Sequence, residues 1–182
     1  MASTASTFTA SHVAAQSSVR AIAARAALWA YTLISGIVLG ASIYEYLVIT
    51  PLWLRSLPES VINWNLATRY PIVPGKFWEP IEPFFLVVSL ICLALAWFGP
   101  RGQRRWLGIA GGCAVAGLLT IALFFVPILQ KTVLTNGNGL PEAEITRLSL
   151  IWAHWQWLCL VMIFAGWIAA VRGLTVSNPQ SE

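Results

Sequence analysis

Gly40-Ala-Ser-Ile-Tyr-Glu-Tyr-Leu-Val-Ile-Thr-Pro51 decides how this chain is read. The stretch closes an apolar run long enough to cross a bilayer, yet it carries a carboxylate, Glu45, between Tyr44 and Tyr46. A charged side chain within a membrane costs on the order of 2.5 kcal/mol or more, and usually turns inward toward a partner, a substrate or a proton path. Partners for Glu45 must come from elsewhere in the sequence.

Three further runs are as apolar as the first. At about 27–49, 81–98, 106–129 and 148–171 they are each long enough to cross about 30 Å of hydrocarbon as helices. Over 182 residues, 58% are hydrophobic and 10% charged, against roughly 25% charge in an ordinary soluble domain; mean hydropathy is +0.72. The expected fold is all-α, an integral membrane four-helix bundle with a long aromatic loop between its first two helices. A disordered tail is expected over 1–26, the four-span domain over 27–173 and a C-terminal tail over 174–182.

The net charge of +4 does not point to nucleic acid, because the basic residues are scattered over loops and helix ends. Arg101, Arg104 and Arg105 crowd one short loop without an acid, and Arg20 and Arg25 precede the first span. This bias predicts that both termini are cytoplasmic; the expected location is a bacterial inner membrane. Cys92, Cys113 and Cys159 fall inside spans, where they serve packing better than a disulfide framework.

Small residues recur at helical spacing at Gly36 and Gly40, and again at Gly108 and Gly112. Such faces allow close helix approach, within the bundle or in a homo-oligomer. Thr50-Pro51 is expected to end or kink the first helix. The loop over 52–80 is rich in aromatics, and long loops are usually functional or disordered. Within it, a short helix is expected over 58–68, broken by Pro71, Pro74 and Gly75. Asn136-Gly-Asn-Gly139 signals a turn in the last loop.

Alternating helix direction puts the end of span one, the start of span two, the end of span three and the start of span four on one side. Glu45, Glu79, Glu82, Gln130 and His154 then lie at similar depth, and a polar chamber under the aromatic loop is expected there. His154 is the histidine outside the tail, and imidazole changes charge near neutral pH. Arg147 shares its helix face, while Arg69 or Arg147 could instead simply pair with Glu45. Carboxylates and imidazole also suit a transition metal, so Glu45, Glu82 and His154 offer a site for a single ion. A di-iron bundle needs more ligands than these.

The Tyr44-Glu45 pair closing span one, Pro74-Gly-Lys-Phe-Trp-Glu-Pro80 before span two, and Ile151-Trp-Ala-His-Trp-Gln-Trp157 in span four resemble the anthrone oxygenase-like family of small membrane proteins. The resemblance implies oxidation of a phenolic polycyclic ketone to a quinone with molecular oxygen, for which no redox cofactor is strictly required. Glu45 or His154 would act as base, and Tyr44, Gln156 or Arg147 would steady the oxyanion. Phe77, Trp78, Trp152 and Trp155 would hold the flat substrate. The competing expectations are a metal-dependent membrane oxidoreductase and a non-enzymatic small-molecule-binding or structural subunit of a membrane complex.

Overall fold

The structure is a computed structural model that describes residues 3–62, 74–134, 137 and 139–176, with side chains from residue 18 onward except 74–76 and 134. The described chain is helical and without strands, and four of its helices are long and apolar enough to cross a membrane. In chain order the helices are α1 (Ser3–Tyr44), α2 (Thr50–Leu54), α3 (Glu59–Ile62), α4 (Pro74–Phe98), α5 (Arg101–Thr120), α6 (Val126–Leu129) and α7 (Glu142–Thr175). Wider π turns over Glu45–Ile49 and Ile121–Phe125 join α1 to α2 and α5 to α6, and a third, Gln130–Leu134, follows α6. The membrane-length helices are therefore two composite rods, α1–α2 and α5–α6, and two single helices, α4 and α7.

Both composite rods owe their π turns to proline. A proline inside an α-helix lacks the N–H that would bond four residues back, and its ring collides with that carbonyl. Here Pro51 and Pro127 each follow a π turn by two residues. The Thr50 N–H bonds the Glu45 carbonyl, and the Val126 N–H bonds that of Ile121. One extra residue in the turn absorbs the misfit, a common form of helix bulge. Of the two outcomes expected at Thr50-Pro51, an end or a kink, the helix does not end: helical geometry continues to Leu54 beyond a local bulge.

Other boundaries also differ from expectation. Helix α1 starts at Ser3, within the stretch expected as a tail, because alanine is the strongest helix former and recurs through that segment. Helix α4 starts at Pro74, ahead of the apolar span itself, since proline is tolerated in a first turn that leaves its N–H unbonded in any case. Pro80 and Pro83 lie inside it. Of the short helix expected over 58–68, Glu59–Ile62 is present, and the remainder lies outside the described residues. Helix α7 is preceded by Pro141 in extended conformation and carries Glu142 and Glu144 in its first turn, where carboxylates favour the helix dipole. In the turn before it, Gly137 and Gly139 take positive φ of 66° and 81°, accessible to glycine at little cost.

The four rods pack in cyclic order, each against its sequence neighbours and the first against the last, as in up-and-down bundles. Tyr31, Leu28, Phe85, Cys92, Leu107, Ala110 and Ala170 form the core of one half. Its tightest contacts run through Gly111 and Gly166. A Cβ on Gly111 would stand 2.6 Å from the Ser89 carbonyl oxygen, and one on Gly166 would strike the Tyr31 hydroxyl. The stripes expected to do this are looser: Gly36 faces Trp167 and Gly108 faces Ala96, while a Cβ on Gly40 or Gly112 would meet nothing within 4 Å.

The other half ends in a second apolar cluster of Trp53, Val61, Val133 and Ile145, with Ile49, Leu57, Leu129 and Trp152 against it. Trp152 lies 5.0 Å from Trp53 between ring centroids and meets Phe125 edge-on at 6.0 Å. An aromatic plug occupies the part of the bundle axis where a polar chamber was expected.

Candidate functional site

Polar groups at the plugged end are distributed around the first rod. On the flank facing α4, Glu45 is half-buried and lies close enough to half-buried Glu82 for their carboxylates to interact electrostatically. Glu79, one turn before Glu82, is exposed. Facing α7, Thr50 donates its hydroxyl to Gln156 Oε1 at 2.8 Å, and both side chains are buried.

Outside that hydrogen bond runs an open groove of about 690 Å³, between the first rod and α7. Tyr46, Leu47, Thr50, Pro51 and Leu54 form one wall, and Leu150, Ile151, Ala153, His154 and Trp155 the other. His154 is exposed on this groove and meets Trp155 edge-on, with ring centroids 5.4 Å apart. It places an imidazole in a largely apolar trough, with Tyr46 and Thr50 in the opposite wall.

The residues singled out from sequence therefore occupy different places. His154 and Trp155 line the groove. Gln156 is two residues from His154, about 200° around the helix, and points into the bundle. Trp152 belongs to the plug. Arg147 lies at the surface, paired with Glu144 through Nε–Oε2 at 2.8 Å and Nη2–Oε1 at 2.7 Å. Tyr44 is 59% exposed and outside the groove lining. Trp78 packs against the core of the other half, with Phe77 edge-on beside it at 5.0 Å. Gln130 is exposed, and Arg69 lies outside the described residues.

Among the described residues, no three His, Cys, Asp or Glu side chains come together as a metal-ligand set. Glu45, Glu82 and His154 do not assemble as one, because Glu82 lies on the α4 flank of the first rod and His154 on the α7 groove. Equal depth did not imply equal azimuth. Tyr46, a plausible hydrogen-bond donor by sequence, also lines the groove, as does Thr50, which depth alone does not single out. Their signal was Pro51, whose π turn sets the faces on which they stand.

Compared with family models, curated proteins and solved structures, the chain matches none. Its chemistry must be read from the groove. An apolar trough with one imidazole and one phenol can hold a flat hydrophobic molecule, exchange a proton with it and donate a hydrogen bond to an oxygen.

Proposed function

We propose that the protein is an integral membrane oxygenase that receives a hydrophobic aromatic molecule from the bilayer in the groove between its first and last rods. Support for the bilayer comes from four membrane-length helices and from the large apolar side chains they expose, including Trp29, Leu33, Leu47, Phe84, Trp97 and Leu123. The observation that carries the substrate class is the placement of His154 in an apolar groove of about 690 Å³, against the edge of Trp155.

In this mechanism His154 removes a proton from an activated methylene of a polycyclic phenolic ketone, and Tyr46 donates a hydrogen bond to the oxygen on which the charge develops. The electron-rich anion passes electrons to molecular oxygen, a C–O bond forms, and the resulting hydroperoxide loses water to leave a carbonyl. One oxygen atom enters the product and the other leaves as water; dioxygen is the oxidant. The family resemblance suggests this reaction, and the groove offers the base and the apolar walls that it needs. Both termini face the cytoplasm, of a bacterial inner membrane.

Purified protein mixed with anthrone tests this directly. Quenching of tryptophan fluorescence reads binding, and oxygen uptake with quinone absorbance reads turnover. Both should be present in the native chain, and His154→Gln should keep binding while losing most turnover. Equal turnover in native and His154→Gln protein would overturn the acid–base role, and absence of binding would overturn the substrate class.

A further inference from the structure

The end of the bundle opposite the plug is one-sidedly basic. Arg20, Arg25, Arg101, Arg104, Arg105 and Arg172 are all exposed there, whereas every described glutamate stands toward the plugged end. Three rods meet around Gly173, which brings Arg25, Arg172 and the α5 arginines to one end of the bundle, with Arg20 further along α1. Leu28 and Trp106 lie where a Gly173 Cβ would come within 3.0 Å of each, and Gln103 Nε2 donates to the Gly173 carbonyl at 3.3 Å. Arg25 is one turn from Leu28, Arg172 adjoins Gly173, and Arg101, Arg104 and Arg105 surround Gln103 in the first turns of α5. Gly102 in turn lies close to Val176, its added Cβ 3.1 Å from that side chain.

Local satisfaction explains only part of this charge. Arg104 Nε donates to the Gly99 carbonyl at 2.8 Å, so it caps the end of α4. Arg105 lies over the Trp106 ring, 4.4 Å from its centroid, and that ring packs against the core of this half, so the guanidinium is held at the border of the bundle. The α5 N-terminus beside them starts after Pro100 and carries no side-chain cap, and its backbone dipole adds to the attraction for an anion.

We infer that this end is a docking surface for the headgroups of anionic phospholipids, gripped by Arg101 and Arg105 with Arg25 and Arg172 beside them. A planar guanidinium pairs two donors with a phosphate, and basic clusters bordering a membrane span are attracted to an anionic lipid surface. The inference rests on the membrane location proposed above but not on the oxygenase chemistry.

The experiment measures thermal unfolding of the full chain in neutral detergent with added phosphatidylglycerol, phosphatidylcholine or inorganic phosphate. Phosphatidylglycerol should raise the midpoint by roughly 3 °C or more, and phosphatidylcholine and phosphate should leave it unchanged. The double variant Arg101→Gln/Arg105→Gln should lose the shift, and Arg101→Lys/Arg105→Lys should keep most of it. Should the glutamine variant not fold, molar salt added to the native protein should abolish the shift instead. Equal shifts with both lipids, an equal shift with phosphate alone, or a full shift in a folded glutamine variant or in molar salt would each overturn the inference. Failure to enter vesicles of either lipid would instead overturn the membrane location itself.

Discussion

Thr50 donates its hydroxyl to Gln156 Oε1 across 106 residues of sequence, and both residues are buried. The bond ties the first rod to α7 directly behind the groove. Its removal should be felt in stability. Interhelical hydrogen bonds in membranes are worth about 0.6 kcal/mol on average, while an orphaned buried acceptor costs about 1–3 kcal/mol. Thr50→Val leaves the Gln156 acceptor orphaned and should destabilise the bundle by about 1–3 kcal/mol, whereas Thr50→Ser, which keeps the donor, should cost clearly less. Unfolding titrations in mixed micelles read the difference, and equal losses for Val and Ser would show that the hydroxyl contributes nothing.

The Tyr31 hydroxyl makes the opposite prediction. It is fully buried and has no hydrogen-bond partner among the described residues, and it fills the space where a Gly166 Cβ would stand. Tyr31→Phe removes a polar atom that folding leaves unsatisfied, so stability should hold or rise by about 1 kcal/mol. Gly166→Ala should cost about 1–3 kcal/mol by overpacking. The double variant should recover much of that loss, because the phenylalanine vacates the contested volume. Additive effects in a double-mutant cycle would refute the collision.

Much of the fold follows from hydropathy alone, since length and apolar content define four membrane-length helices regardless of detail. Azimuth does not follow from these quantities. Glu45 and His154 were placed at one depth by helix direction, but the face each presents depends on local rise and twist, which the π turn before Pro51 alters. Trp152 and Trp155 are alike in composition and three residues apart, yet one closes the plug and the other lines the groove. Gly111 and Gly166 are not legible in the sequence, because close approach depends on which neighbour lies opposite, not on a four-residue repeat.

Pro51 and Pro127 provide a test of the π turns. Pro51 lines the groove and Pro127 does not, although both follow the same kind of widened turn. Restoring an N–H by Pro51→Ala lets the rod return to α register, which rotates Tyr46 relative to Thr50. On a His154→Cys background, Pro51→Ala should change the rate of thiol labelling in the groove at least twofold, and Pro127→Ala should not. Matching rates in all three proteins would mean that proline does not shape the groove.

Glu45 and His154 are rival bases by sequence, and they stand in different surroundings. Glu45 stands beside a second carboxylate, Glu82, on the α4 flank of the first rod, away from the groove lining. Two neighbouring carboxylates in largely apolar surroundings repel when both are charged, and each loses hydration. Glu45→Gln removes both costs while keeping shape and hydrogen-bonding capacity, so it should leave stability unchanged or raise it by about 1 kcal/mol. Anthrone oxidation should persist in Glu45→Gln and fall by about 10²-fold or more in His154→Ala, as expected on losing a general base. Loss of turnover in Glu45→Gln with full activity in His154→Ala would move the chemistry to the α1–α4 flank.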